Sequence, residues 1–179
     1  MNENKLREQI CLLATSIFDR GLTHGSTGNI SVRLDDNNIL VTPSGSSFGR
    51  LDPNQIVKVS KSGEITGSTT PTKELPLHQA FYETRGMKSG AVVHLHSTYS
   101  VALSMMPGIN EDNVLPSYTP YSVMLLGNVK LLPFLCQEIL QWVMQLKVLL
   151  EKDLPFFLLI MVLLFLVKIW NQRLMLLKN

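Results

Sequence analysis

The segment Ala91-Val92-Val93-His94-Leu95-His96 restricts the fold more than any other stretch of the chain. Its apolar, β-branched run reads as a buried strand, on which residues two apart face the same way, so His94 and His96 leave one face side by side. Neutral imidazole nitrogen suits zinc and its first-row neighbours, and a rigid strand fixes the distance between two ligands. The pair is therefore either a transition-metal site or two unrelated polar residues, one of them hydrogen-bonded in the core. Half of the chain's 4 histidines sit here, and His is the commonest metal ligand, which favours the metal.

Twenty residues earlier, Glu74 opens a helical pattern in which Leu75, Leu77, His78, Phe81 and Tyr82 recur at helical spacing and Pro76 suits a first turn. A carboxylate at that point is either a first-turn charge favoured by the helix dipole, or a third ligand or general base beside the metal.

The preceding residues supply a scaffold. Residues 5 to 21 form an amphipathic helix with Leu6, Ile10, Leu13, Ile17 and Phe18 on one face and Gly21 at its end. A loop from Gly25 to Asn29 then enters a strand from Ile30 to Leu34, and Asp35-Asp36-Asn37-Asn38 turns the chain into Ile39-Leu40-Val41. That second strand ends in another loop rich in glycine and hydroxyls, Thr42 to Ser47. The two loops are either plain turns or, lying at the same end of adjacent antiparallel strands, convergent donors for one phosphate or carboxylate. Ile56 to Val59 and Ile65 flank a further hairpin turn at Ser62-Gly63. After the histidine strand, Thr98 to Met106 reads as a short helix stopped by Pro107-Gly108. Tyr118 and Tyr121 follow in a Pro-bounded loop, where a tyrosine is either a proton donor near a metal or cover for a core edge.

A chain of 179 residues is large enough for one domain with a real core, and a formal charge of +2 argues for neither a nucleic acid nor an acidic partner. A small-molecule site is the default. Cys11 and Cys136 are too few and too far apart for a disulfide framework, and MNENKLREQI lacks the apolar core of a signal peptide. Cytoplasmic residence is expected.

From Phe134 to Asn179 the character changes: this tail contains no Gly, Ala, Ser, Thr, His or Tyr, all well represented before it. Its longest apolar run, Phe156 to Val167, is 12 residues, short of the roughly 20 that span a bilayer, so no membrane partner is expected.

With GSTGNISVR, TPSG, the Glu74 segment and HLH in this order and spacing, residues 5 to 133 resemble the class II aldolase and adducin head-domain family. Within it, PTKELPLHQAFY and TPYSVMLLGNVKLLPF are most similar to the 3-oxo-tetronate 4-phosphate decarboxylases and less so to the fuculose- and ribulose-phosphate aldolases. The resemblance implies an α/β fold, a three-layer α/β/α domain with a mainly antiparallel central sheet, assembled as a homotetramer. It implies a divalent metal, typically Zn, one per subunit, held by His94, His96 and, in the resting enzyme, Glu74, which also serves as acid/base. It implies that Gly28, Asn29, Ser44, Gly45, Thr72 and Lys73 hold the phosphate of a phosphorylated sugar acid or sugar. It further implies that Tyr121, with Tyr118 the alternate, is the tyrosine donated near the site. The adducin heads, which keep the fold without the metal set, give the non-enzymatic alternative: a silent binding module.

The family's later Asn-His-Gly motif, with its metal-ligating histidine, is missing from this chain. Read one base earlier, the codons of Met161-Val162 and Trp142-Val143 must give glycine, and those of Met144-Gln145 must give alanine. With allowed synonymous codons, Gln137 to Leu149 re-reads as GDPAMGDAIKGL and Leu158 to Lys168 as LANHGPVVFGK, which contains the motif. The expectation is a family domain over residues 1–133 and a frameshifted apolar tail over 134–179.

Overall fold

The computed structural model describes residues 2–85, 90–120, 123–124, 129–132, 143–144, 147–148 and 163–167. The first helix, α1 (Glu3–Asp19), buries Leu6, Ile10, Leu13 and Ile17 as their spacing requires, and Cys11 and Ala14 with them. It starts two residues earlier than the hydrophobic pattern suggests because the Asn2 side chain accepts from the Asn4 N–H at 3.0 Å. It ends as expected at Gly21, whose φ of +67° lets the Gly21 and Leu22 N–H groups reach the carbonyls of Phe18 and Ile17.

Strands β1 (Asn29–Arg33), β2 (Asn38–Val41), β3 (Val57–Ser60) and β4 (Ile65–Thr66) follow as antiparallel neighbours, β1–β2 and β3–β4 joined by short turns and β2–β3 by the longer segment 42–56. Helix α2 (Leu75–Arg85) then crosses to β5 (Ala91–Leu95), which pairs with β1, and β6 (Leu163–Val167) pairs with the far side of β5. The sheet order is β4-β3-β2-β1-β5-β6, and every neighbouring pair is antiparallel. Helix α3 (Thr98–Ser104) stops short of Met106 because the Met105 and Met106 N–H groups turn to carbonyls three residues back.

Two apolar clusters lie on the two faces of the sheet. Ile30, Val32, Leu40, Ala91, Val93 and Leu95 pack with α1, whereas Ile39, Val41, Val57, Val59 and Val92 pack with Leu77, Ala80 and Phe81 of α2. Period-2 alternation then sends Asn29, Ser31 and His94 to the α2 side as well, so the polar residues of the centre strands share the face of the helix that Glu74 precedes. The three-layer α/β/α arrangement expected from the sequence is present.

Residues Leu163–Val167 of the apolar tail form an edge strand of this sheet, and among the described residues no helix is long and apolar enough to cross a membrane.

Candidate metal and anion site

Glu74, His94 and His96 come together at the end of β5. One ligand atom from each lies within 4.8 Å of the others, a cluster that could hold a metal ion. His94 is 1% exposed, Glu74 is partly exposed, and the two imidazoles stack with centroids 4.9 Å apart. His94 Nε2 and His96 Nε2 stand 2.9 Å apart. Nitrogens that close share either a proton or a cation, and two nitrogens on one tetrahedral zinc ion would be about 3.3 Å apart given bonds near 2.0–2.1 Å. The pair needs to open by only a few tenths of an ångström to take an ion.

On the other edge of the ring, His94 Nδ1 is 2.8 Å from Glu74 Oε2, yet it is buried and lies off the direction of a hydrogen bond. The Glu74 carboxylate with one nitrogen each from His94 and His96, beside a buried imidazole nitrogen that has no hydrogen-bond partner, is a donor set that fits a divalent cation. Burial pushes the Glu74 carboxyl up, but the charge of the adjoining His94 and the hydrogen bond from the Asn29 amide outweigh it and hold the group down at about 2. Glu74 is thus a carboxylate at neutral pH, ready to bind a cation or accept a proton. His96 is pushed down by burial and by the His94 charge, which keeps its nitrogens available as ligands.

The chain delivers Glu74 by a short device. The Thr72 hydroxyl accepts from the Glu74 N–H at 3.3 Å, the Thr72 carbonyl accepts from the Leu75 N–H, and the Glu74 carbonyl accepts from Leu77 and His78 as α2 begins. Glu74 therefore stands just before the helix rather than within its first turn. Its Oε2 also receives a hydrogen bond from Asn29 Nδ2 across the sheet, since Asn29 and His94 are cross-strand partners.

The two glycine- and hydroxyl-rich loops lie at the same end of the β1–β2 pair. The Ile30 N–H donates to Thr42 Oγ1 at 3.1 Å, the Thr42 N–H donates back to Ile30, and Pro43 bridges to Pro71. Thr72 consequently pairs with Thr42, next to the entry of β1, and the Ser44 N–H donates to the Thr70 carbonyl at 2.9 Å. Ser44, Gly45 and Lys73 are exposed and Thr72 is buried. Gly28 has φ +85°, and a Cβ there would fall 2.7 Å from the His94 carbonyl oxygen, so the first loop rests directly on the histidine strand. The Asn29 side chain is turned to Glu74 and His78.

The tyrosine assignment divides. Tyr118 is 88% exposed, and Tyr121 lies outside the described residues.

His78, Ser31 and Tyr82 join the site from behind, and the sequence reading used His78 and Tyr82 only as helical spacing. Ser31 Oγ is 2.7 Å from His78 Nδ1 and 2.8 Å from the Tyr82 hydroxyl, while His78 Nε2 meets Asn29 Oδ1. Burial, with the His94 charge, drives the His78 imidazole down to about 3, and burial pushes the Tyr82 phenol up, so both stay neutral. Leaving any one of these buried groups unpaired would cost about 1–3 kcal/mol. The available signal was positional: His78 follows Glu74 by one helical turn, and Ser31 shares a strand face with Asn29.

The family model for the Class II Aldolase and Adducin N-terminal domain matches residues 8–145. The chain is 46% identical over 132 residues to a 3-oxo-tetronate 4-phosphate decarboxylase of Escherichia coli K12, covering 74% of this chain and 62% of that protein. It is 34% identical over 106 residues to the L-fuculose phosphate aldolase of the same organism, covering 59% and 48%. The crystal structure of YgbL from Escherichia coli superposes with a TM-score of 0.84 at 38% identity, over 98% of this chain and 86% of that one. The chain thus spans less than two thirds of the length of these relatives matched by sequence.

Proposed function

We propose that this chain, which belongs to the class II aldolase and adducin family, is a metal-dependent carbon–carbon lyase that decarboxylates a 3-oxo-tetronate 4-phosphate to dihydroxyacetone phosphate and CO2. The observation that carries the reading is the Glu74, His94 and His96 cluster beside two hydroxyl- and glycine-rich loops. The 46% identity to a decarboxylase favours this substrate class over the aldol substrates of the 34% relative.

Glu74, His94 and His96 would hold the metal, for which we propose zinc, one ion per subunit. Such an ion supplies Lewis-acid stabilisation of negative charge developing on substrate oxygen. The remaining work falls to the chain. Gly28, Asn29, Ser44, Gly45, Thr72 and Lys73 grip the phosphate through backbone, amide and hydroxyl donors and one ammonium, fixing the distance from phosphate to reacting carbon. Asn29 also holds Glu74. When CO2 leaves, its bonding electron pair delocalises onto the neighbouring carbonyl oxygen, and the carbon must then gain a proton. Glu74, ionised at rest, accepts and passes on protons, and either Glu74 or Tyr121 returns the proton to carbon. We further assign the working form to a cytoplasmic homotetramer acting in sugar-acid catabolism, and residues 134–179 to a shifted reading frame. The match to the decarboxylase, 132 residues long, is close to the length of chain before Phe134.

Two measurements test the reading. The first is elemental analysis: the protein with its reading frame restored should carry one divalent ion per subunit and its His94→Ala variant almost none, and undiminished metal in the variant would refute the site. The second is an assay panel. CO2 release from a four-carbon 3-oxo acid 4-phosphate is expected, whereas aldehyde release from fuculose or ribulose phosphates would make the protein an aldolase. Metal-free protein silent on both would be a binding module of the adducin kind.

A further inference from the structure

Behind the metal cluster runs a line of buried polar groups whose donors and acceptors leave little choice. The Glu74 carboxylate can only accept, so the Asn29 amide must present its NH2 to Glu74 Oε2. That turns Asn29 Oδ1 toward His78 Nε2, and because an amide oxygen can only accept, Nε2 must carry the proton. The other nitrogen of a neutral ring is then bare, so His78 Nδ1 accepts from the Ser31 hydroxyl at 2.7 Å. With its one proton spent, Ser31 receives the Tyr82 hydroxyl at 2.8 Å. His78 and Ser31 are each 0% exposed, so no solvent substitutes for a missing partner.

We propose that His78 is a positioning residue for Glu74: its Nε2–H fixes the orientation of the Asn29 amide, and that amide aims the carboxylate at the metal cluster. The direction of the line matters. If the proton moved to Nδ1, the bare Nε2 would face Asn29 Oδ1, the amide would reverse, and an oxygen would meet the carboxylate. Tyr82 and Ser31 hold the proton where it is needed by occupying Nδ1. The inference rests on the reading of Glu74 as part of the metal cluster, and it extends the site from the end of β5 through β1 to the middle of α2.

The closing experiment has two arms, both on the full chain. Nitrogen-15 spectroscopy of histidine-labelled protein, with His78 assigned from the spectrum of His78→Gln, should find His78 in the Nε2–H form at neutral pH. An Nδ1–H ring or an imidazolium overturns the assignment, and this arm needs neither metal nor activity. In the second arm, Zn2+ affinity is measured by chelator competition for protein whose unfolding midpoint is unchanged. His78→Leu should weaken binding about 10- to 100-fold, as loss of an outer partner of a metal ligand does. His78→Gln, which keeps one donor and one acceptor, should recover most of it. In a Glu74→Gln background His78→Leu should cost nothing more, since no carboxylate remains to be aimed. An equal loss in both backgrounds would make His78 a packing residue and overturn the proposal. Metal binding without CO2 release would refute the decarboxylase while leaving this assignment standing, and a chain that takes up no Zn2+ would refute the metal cluster while the ring proton still decides for or against His78.

Discussion

Replacing Glu74 by Gln in the protein with its reading frame restored is expected to lower turnover by about 100- to 10,000-fold, the contribution of a positioned general acid or base, while the fold survives. The amide has the carboxylate's size, and its oxygen can still accept from Asn29 Nδ2. It cannot take up a proton. The carboxyl, held at about 2 by His94 and Asn29 against the opposing effect of burial, is a carboxylate throughout the neutral range, and that charge is removed by the substitution. Rates of CO2 release measured beside a thermal melt separate the two effects. Near-normal turnover in a stably folded variant would move the proton-transfer role to Tyr121.

The second large effect lies in the gene. Resequencing is expected to place a one-base insertion or deletion near codon 134, and restoring the frame is expected to return GDPAMGDAIKGL and LANHGPVVFGK to the chain. The restored protein gains a histidine for the metal and loses an apolar tail that favours aggregation. It should bind metal more tightly and stay monodisperse at concentrations where the present chain associates. Strand β6 (Leu163–Val167) would read PVVFG in the restored frame, still largely apolar and β-branched, so its pairing with β5 is compatible with either frame. A frame intact through Phe134, with codons that do not spell the second peptide, would end the idea and leave the tail as genuine structure.

Much of the scaffold was legible because its signals are local. The apolar face of α1, the Gly21 cap and the Asp35–Asn38 turn each depend on residues within one or two turns of one another, and their elements formed where expected to within two residues. His94 and His96 were legible for the same reason: a strand fixes its own alternation. The placement of the two loops at one end needed only the step from hairpin to shared sheet end. What stayed hidden depended on contacts distant in sequence. Nothing within reach of His78 in the sequence distinguishes a helix-face packing residue from a ring that touches Ser31 and Asn29. The same distance concealed that the Asn29 side chain is turned to Glu74, 45 residues away. Tyr118 shows the converse limit: a Pro-bounded loop constrains the backbone locally but says nothing of where its ring ends up.

Strand β1 is joined to β2 by a tight turn, but to β5 only across the whole span from Asn29 to His94. Hairpins of the first kind close in about 1–10 μs, whereas long-range pairing must first meet the entropy of closing a large loop. The ladder β4-β3-β2-β1 can therefore assemble while β5 is still undocked. At that stage Asn29 has met neither Glu74 nor His94. An ion added to a refolding chain would find its ligands gathered only at the last docking event, so the rate of ion capture would report the slowest step of folding rather than the speed of coordination.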